Sequence, residues 1–201
     1  MRAVIIGNGD ILNYEYIKSR LKPDDYYICA DGGVKHTKGL GITPSVVIGD
    51  FDSSKQNESF NNRVFPIAKN FTDGELAVDY AIENGFSQIL LVAMTGKRLD
   101  HTLTNIFQLV KRKGISLIDD MNEVFFIDNY LQINNKAGKT LSIIPLSNDL
   151  CGVTITGVLY PLENDILRFG YGRSNSNKIT NDLCTISVKS GKGVAIINNG
   201  E

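Results

Sequence analysis

Five aspartates carry most of the chemistry that this sequence offers. Asp31 follows the apolar run Tyr26–Ala30, and Asp50 and Asp52 follow Ser45–Ile48. Asp73 opens a helical stretch after Thr72, and Asp100 lies in Thr95-Gly96-Lys97-Arg98-Leu99-Asp100-His101, downstream of Gln88–Ala93. In an open α/β sheet, ligands bind beyond the carboxyl ends of the strands, so all five map to one rim. Carboxylates crowded there raise one another's pKa unless a cation compensates them. Oxygen donors without His or Cys partners suit Mg²⁺, Mn²⁺ or Ca²⁺, and Mg²⁺ typically combines one or two carboxylates with phosphates and water. Asp50 and Asp52, two apart, can aim at one point because alternate residues of an extended segment share a face. Gly7, Gly9, Gly32, Gly33 and Gly49 are where backbone would approach phosphates closely. The chemistry expected is metal-assisted handling of a nucleotide's phosphates.

Each aspartate taken singly could be a turn former or a helix cap, Asp73 above all. Five caps along one rim would be a coincidence. Gly7-Asn8-Gly9 lacks the third glycine of a dinucleotide fingerprint, and no Walker sequence is present.

The elements that must position these residues change character along the chain. Up to about residue 120, short apolar runs alternate with helical stretches. Strands are expected at Ala3–Gly7, Tyr26–Ala30, Ser45–Ile48, Gln88–Ala93 and Ile115–Ile118, with a weaker one at Val64–Ile67. Helices are expected at Ile11–Leu21, Asp73–Asn84 and His101–Lys113, the last two ended by Gly85 and Gly114. Such alternation implies a parallel sheet covered on both faces. From residue 121 onwards, β-branched segments such as Glu123–Ile127, Thr140–Pro145, Gly152–Thr156, Thr185–Lys189 and Gly193–Ile197 are separated by Asn, Asp and Gly turns, the pattern of an antiparallel sandwich or barrel. Two domains follow, 1–120 and 121–201.

Composition narrows the partners. A formal net charge of −1 over 201 residues argues against nucleic acid and anionic membranes. The apolar runs are far short of the ~20 residues that span a bilayer. No basic or apolar leader precedes the first strand, so a cytoplasmic protein is expected. Cys29, Cys151 and Cys184 read as free thiols in apolar segments. His36, between Lys35 and Thr37, reads as a surface residue, and Phe169 as core.

Taken in order, several segments resemble the thiamine pyrophosphokinases. These are ADGG at Ala30–Gly33, LGITPSVVIGDFDS at Leu40–Ser53, KNFTDGELA at Lys69–Ala77, GKRLDHTLTN at Gly96–Asn105 and a Ser174-Asn175 element after Phe169-Gly170. The resemblance spans nearly the whole chain. It implies transfer of a pyrophosphoryl group from ATP to the hydroxyethyl oxygen of thiamine, giving thiamine diphosphate and AMP. It also implies an α/β N-terminal domain that binds ATP and Mg²⁺, a C-terminal β-sandwich that binds thiamine, and a homodimer. Position by position, Asp50, Asp52 and Asp73 would hold Mg²⁺ and the transferred phosphates, and Asp31 and Asp100 would complete the acidic site. Gly32, Lys69, Thr72 and Arg98 would lie by the nucleotide, and Ser174 and Asn175 would face thiamine. The chain departs from the family pattern at Asn70, at Lys97 in place of a second glycine, at Ser176 in place of Glu, and in having no tryptophan.

The proton acceptor is open between Asp73 and Asp100, with His101 orienting the latter. Two other readings stand beside this one. A sugar transferase would use Asp50-x-Asp52 to hold a metal and a sugar nucleotide, which leaves Asp31, Asp73 and Asp100 unexplained. A nucleotide sensor would bind ATP without turnover.

Overall fold

The computed structural model describes residues 1–49, the backbone of 62–64, and residues 70–200. Asp50, Asp52 and Lys69, together with most of the expected strand Val64–Ile67, lie outside the described residues. The chain divides into two compact units, Met1–Asp120 and Met121–Glu201.

The first unit is built on parallel strands β1 (Arg2–Ile6), β2 (Tyr26–Ala30), β3 (Val46–Gly49), β4 (Asn62–Val64), β5 (Gln88–Val92) and β6 (Ile115–Ile118). Their order in the sheet is β4-β3-β2-β1-β5-β6, every described neighbouring pair being parallel. The central strands read as continuous apolar runs because both faces are covered. Val4, Ile6, Cys29, Val47, Leu90 and Val92 form one buried cluster with Ile17 and Leu40, which lie on helices α1 (Tyr14–Ser19) and α2 (Thr37–Leu40). The alternate residues, such as Ile5, Ile28, Ile48 and Leu91, are fully buried towards the opposite face. There α3 (Asp73–Glu83) packs across β1, β2 and β3. Helix α4 (Leu99–Gln108) runs on through a 3₁₀ turn at Leu109–Lys111.

Two expectations for this unit change. The helix after β1 begins at Tyr14, capped by Asn13, whose side chain accepts from the Tyr16 amide. The Asp120 carboxylate takes the Leu12 and Asn13 amides at 2.9 and 2.8 Å, which holds the preceding residues out of the helix. His36 is 3 % exposed and hydrogen-bonded through both ring nitrogens, not a surface residue. It closes a 3₁₀ segment, Asp31–His36, that local polarity did not reveal.

The second unit is a β-sandwich. One layer orders β12 (Asn177–Lys178), β9 (Thr140–Pro145), β14 (Gly193–Asn198) and β7 (Asn122–Ile127). The other orders β11 (Leu162–Leu167), β10 (Leu150–Thr156), β13 (Leu183–Ser187) and β8 (Tyr130–Asn134). The described pairs within each layer are antiparallel. Alternation places Leu141 and Ile143 of β9, Val153 and Ile155 of β10, Cys184 and Ile186 of β13, and Ala195 and Ile197 of β14 in a common core. Gly152, at φ +64, sits where the β10–β11 register shifts, the position of a bulge. Phe169 does not join this core; it is 53 % exposed, in the turn after β11.

Candidate active site

In the first unit the chain winds outwards from β1 to β4, then returns to add β5 on the other side of β1. In an open α/β sheet the carboxyl edge at such a reversal is where a ligand crevice forms. A cavity of about 440 Å³ occupies that place. The loop after β1 supplies Gly7, Asn8, Gly9 and Asp10, and the end of β2 supplies Ala30 and Asp31. The start of α3 adds Thr72, Asp73 and Gly74. The remainder of the wall is the segment from Ala93 to Arg98, with His101, Thr102 and Asn105 of α4.

Close backbone contacts shape this wall. A Cβ on Gly9 would lie 2.2 Å from the Thr95 carbonyl oxygen, and one on Gly33 would lie 2.0 Å from that of Ile6. The glycines thus let the loop after β1 lie directly against the backbones beside it. Gly32 serves packing in the same way, since its Cβ would meet the Asn8 side chain at 2.6 Å; it does not line the cavity. Asp31 and Ala93, at the ends of β2 and β5, both have positive φ, 44° and 53°. Non-glycine residues rarely hold that conformation, and it clusters at functional sites.

Thr72 and Asp73 are presented by a capping box. The Thr72 hydroxyl accepts from the Glu75 amide at 3.2 Å, and the Glu75 carboxylate accepts from the Thr72 amide at 2.9 Å. That arrangement starts α3 beside the cavity and directs its amino-terminal partial positive charge there, which favours an anion.

Arg98 and Asp100 form a bidentate pair, Nε–Oδ1 at 2.9 Å and Nη2–Oδ2 at 2.5 Å. Arg98 lines the cavity, whereas Asp100 stands outside it and orients the guanidinium. The hydrogen bonds from Arg98 hold the Asp100 carboxyl well below the usual carboxylate range. His101 lines the cavity from the first turn of α4, and its amide also supports the Asp100 carboxylate. Asn105, 8 % exposed, donates from Nδ2 to the Met94 carbonyl at 2.7 Å and thereby ties α4 to the segment after β5.

The structure thus brings Asp31, Thr72, Asp73 and Arg98 around one cavity. Sequence reasoning did not assign Asn8, Asp10 or Asn105 to it. Asp10 had a readable signal in Gly7-Asn8-Gly9-Asp10, a turn after an apolar strand that also ends at the carboxyl edge. Asn105 had a signal as the last residue of the family-like segment Gly96–Asn105, one helical turn after His101. Ser174 and Asn175 belong to the second unit: Ser174 is buried with its carbonyl on the Ile143 amide at 3.2 Å, and Asn175 is exposed. Among the described residues, no three His, Cys, Asp or Glu side chains converge as a metal site would require.

The comparisons with known proteins agree across both units. The profile described as "Thiamin pyrophosphokinase, catalytic domain" matches residues 17–118, and that described as "Thiamin pyrophosphokinase, vitamin B1 binding domain" matches residues 128–194. The chain belongs to the thiamin pyrophosphokinase family. It is accordingly an enzyme. The thiamine pyrophosphokinase of Bacillus subtilis (strain 168) is 33% identical over 184 residues, covering 85% of each chain. Thiamin pyrophosphokinase 1 of Caenorhabditis elegans is 28% identical over 174 residues, covering 77% of this chain and 72% of the relative. A crystal structure of a Bacillus subtilis thiamine pyrophosphokinase matches with a TM-score of 0.89 at 27% identity over the full length of both chains. The family's catalytic profile falls within the unit that contains the cavity. Among the described residues no helix is long and apolar enough to cross a membrane.

Proposed function

We propose that this chain transfers a pyrophosphoryl group from ATP to thiamine, giving thiamine diphosphate and AMP, at the cavity of the first unit. The observation that carries this reading is a cavity at the reversal of a parallel sheet lined by Asp31, Asp73 and Arg98, three residues that fall within the region matched by the family's catalytic profile. The second unit, matched by the vitamin B1 binding profile, supplies thiamine contacts, with Ser174 and Asn175 as the candidates. A cytoplasmic homodimer is the assembly this reading adopts.

Mg²⁺ suits the carboxylate oxygens of the residues proposed to hold it. Asp50, Asp52 and Asp73 would hold it, Asp73 being the member within the described residues. When bound, such an ion neutralises phosphate charge.

The protein's own groups do the positioning on which phosphoryl chemistry depends. The thiamine hydroxyl oxygen attacks the β-phosphorus, and the bond from that phosphorus to the α–β bridging oxygen breaks. AMP leaves with the bridging oxygen. Arg98, aligned by Asp100, and Lys69 stabilise the charge that grows there. Of the two carboxylates considered as proton acceptor, Asp100 is committed to Arg98 and lies outside the cavity. Asp73, inside it, takes the hydroxyl proton. The amino-terminal end of α3 and the Thr72 region support the phosphates, and Asp31 completes the acidic wall.

The test is incubation with ATP, Mg²⁺ and thiamine, followed by separation of products. Thiamine diphosphate and AMP should appear in equal amounts, and Asp73→Asn should abolish both with the fold intact. ADP formation, turnover of a sugar nucleotide, or tight ATP binding without turnover would each reject the assignment.

A further inference from the structure

The wall formed by residues 7–10 is a backbone strap with two glycines and little side chain of its own. It is held from both sides. Towards β5, the Gly7 amide donates to the Val92 carbonyl at 2.9 Å and the Gly9 amide to that of Ala93 at 2.7 Å. Towards the 3₁₀ segment, the carbonyls of Asn8 and Gly9 accept from consecutive side chains, Lys35 Nζ at 2.7 Å and His36 Nε2 at 2.7 Å. His36 Nδ1 lies 2.7 Å from the Tyr14 hydroxyl of α1.

The polarity of this relay is determined by its end. A carbonyl only accepts, so the proton sits on Nε2, and Nδ1 then accepts from the Tyr14 hydroxyl. Burial depresses the imidazole's pKa and keeps the ring neutral. Tyr14 is itself confined: a Cβ on Gly39 would fall 2.4 Å from its ring. Downstream of the strap, the Asp120 carboxylate holds the Leu12 and Asn13 amides.

We propose that His36, seated by Tyr14 and helped by Lys35, is a positioning residue that fixes the 7–10 strap and so sets Asn8 and Asp10 against the nucleotide. The strap's glycines make its backbone costly to order, and the two carbonyl contacts supply that order before the ligand arrives. This rests on the reading of the cavity as the nucleotide site. Its consequence is selective: His36 governs affinity for ATP and leaves affinity for thiamine alone.

The test compares His36→Phe, His36→Gln and Tyr14→Phe in the full chain. His36→Phe keeps the volume and removes both hydrogen bonds, and should raise KM for ATP about ten-fold, the scale of one lost buried hydrogen bond, with kcat and KM for thiamine little changed. His36→Gln retains an amide donor for the Gly9 carbonyl and should restore most of the loss, while Tyr14→Phe should shift KM for ATP by less than His36→Phe does. Two readouts need no substrate. Imidazole ¹⁵N–¹H spectra should show the proton on Nε2, and amide exchange at Gly7 and Gly9 should quicken in His36→Phe. If the native chain makes no thiamine diphosphate, the functional reading fails, and those two readouts still decide the strap. An unchanged KM for ATP with unchanged exchange would overturn the proposal. So would equal losses for both substrates with no rescue by Gln, the pattern of a purely structural residue. Should His36→Phe not fold, His36→Gln and Tyr14→Phe make the same comparison, and a native KM for ATP in Tyr14→Phe with a protonated Nδ1 would overturn it.

Discussion

Replacing Gly33 by alanine tests how the closely packed backbones build the cavity. The new Cβ would lie 2.0 Å from the Ile6 carbonyl oxygen and 2.8 Å from its carbon, both backbone atoms at the end of β1. Ordinary contact begins at 3.4 Å, so the two segments must part by about 1.4 Å. No flexible side chain can absorb this, and overpacking of this kind costs about 1–3 kcal/mol. Taking about 2 kcal/mol with a urea slope of about 2 kcal/mol per molar, the unfolding midpoint followed by circular dichroism should fall by about 1 M. The same displacement carries Asp31 at one end of the 3₁₀ segment and Lys35 and His36 at the other. Misplacement of about 1 Å in a positioning element can cost on the order of 100-fold, so kcat/KM should fall on that scale. Gly41→Ala is the control. Nothing lies within 4 Å of its Cβ, but φ is +68°, so it should cost about 1 kcal/mol through backbone strain and leave kcat/KM unchanged. A Gly33→Ala protein with native midpoint and native turnover would refute the claim that this contact shapes the site.

Other outcomes follow from single interactions. Asp100 should stay ionised to lower pH than an ordinary aspartate in a ¹³C-detected titration, and Arg98→Met should bring its midpoint back to the ordinary range. Because its folded pKa is depressed, the pair stabilises the fold above the unfolded value of about 3.9 and loses that contribution as pH falls through the folded one. The exposure of both side chains keeps the contribution small. Burial pushes the Cys29 thiol up to about 12 and also raises that of Cys184, so alkylation monitored by mass spectrometry should spare both until urea unfolds the chain. In the second unit, Lys136 pairs with the Glu123 carboxylate, whose side chain is 1% exposed. Lys136→Met should destabilise that unit by about 3 kcal/mol by leaving a buried carboxylate poorly compensated, and Glu123→Gln added to it should recover part of the loss in urea unfolding.

Sequence patterning revealed the parts of this fold whose environment is uniform along an element. The strands at Tyr26–Ala30 and Gln88–Val92 are mostly buried on both faces and read as near-continuous apolar runs, and Ile115–Ile118 is interrupted only by half-buried Ser116. Thr140–Pro145 alternates because one face meets the sandwich core. The strands Tyr130–Asn134 and Leu162–Leu167 went unread because most of their residues are exposed or only partly buried, and their order comes from pairing with β13 and β10. In the candidate site, Asp31 and Asp73 were legible because a residue type and a place after a strand or before a helix suffice to locate them on the carboxyl edge, whereas Arg98 was assigned through the family resemblance. The division of labour between Arg98 and Asp100 was not legible, since it depends on a side-chain pair folding back at the start of α4.

By itself, then, the sequence determined the alternation of strand and helix, the change to β-structure after residue 120, the place of Asp31 and Asp73 on one edge, and the motifs that carry family membership. Tertiary structure alone decided that His36, polar and flanked by polar residues, is buried beneath the strap, and that Phe169, apolar and beside a strand, is exposed. It also brought Asn8, Asp10 and Asn105 into the same cavity wall. The physical reason is range. Hydrophobic periodicity reports the face an element turns to the core, whereas a histidine's burial depends on a tyrosine 22 positions away and a carbonyl 27 away. Those partners meet only after β1 and β2 have paired and the chain has turned back over their ends.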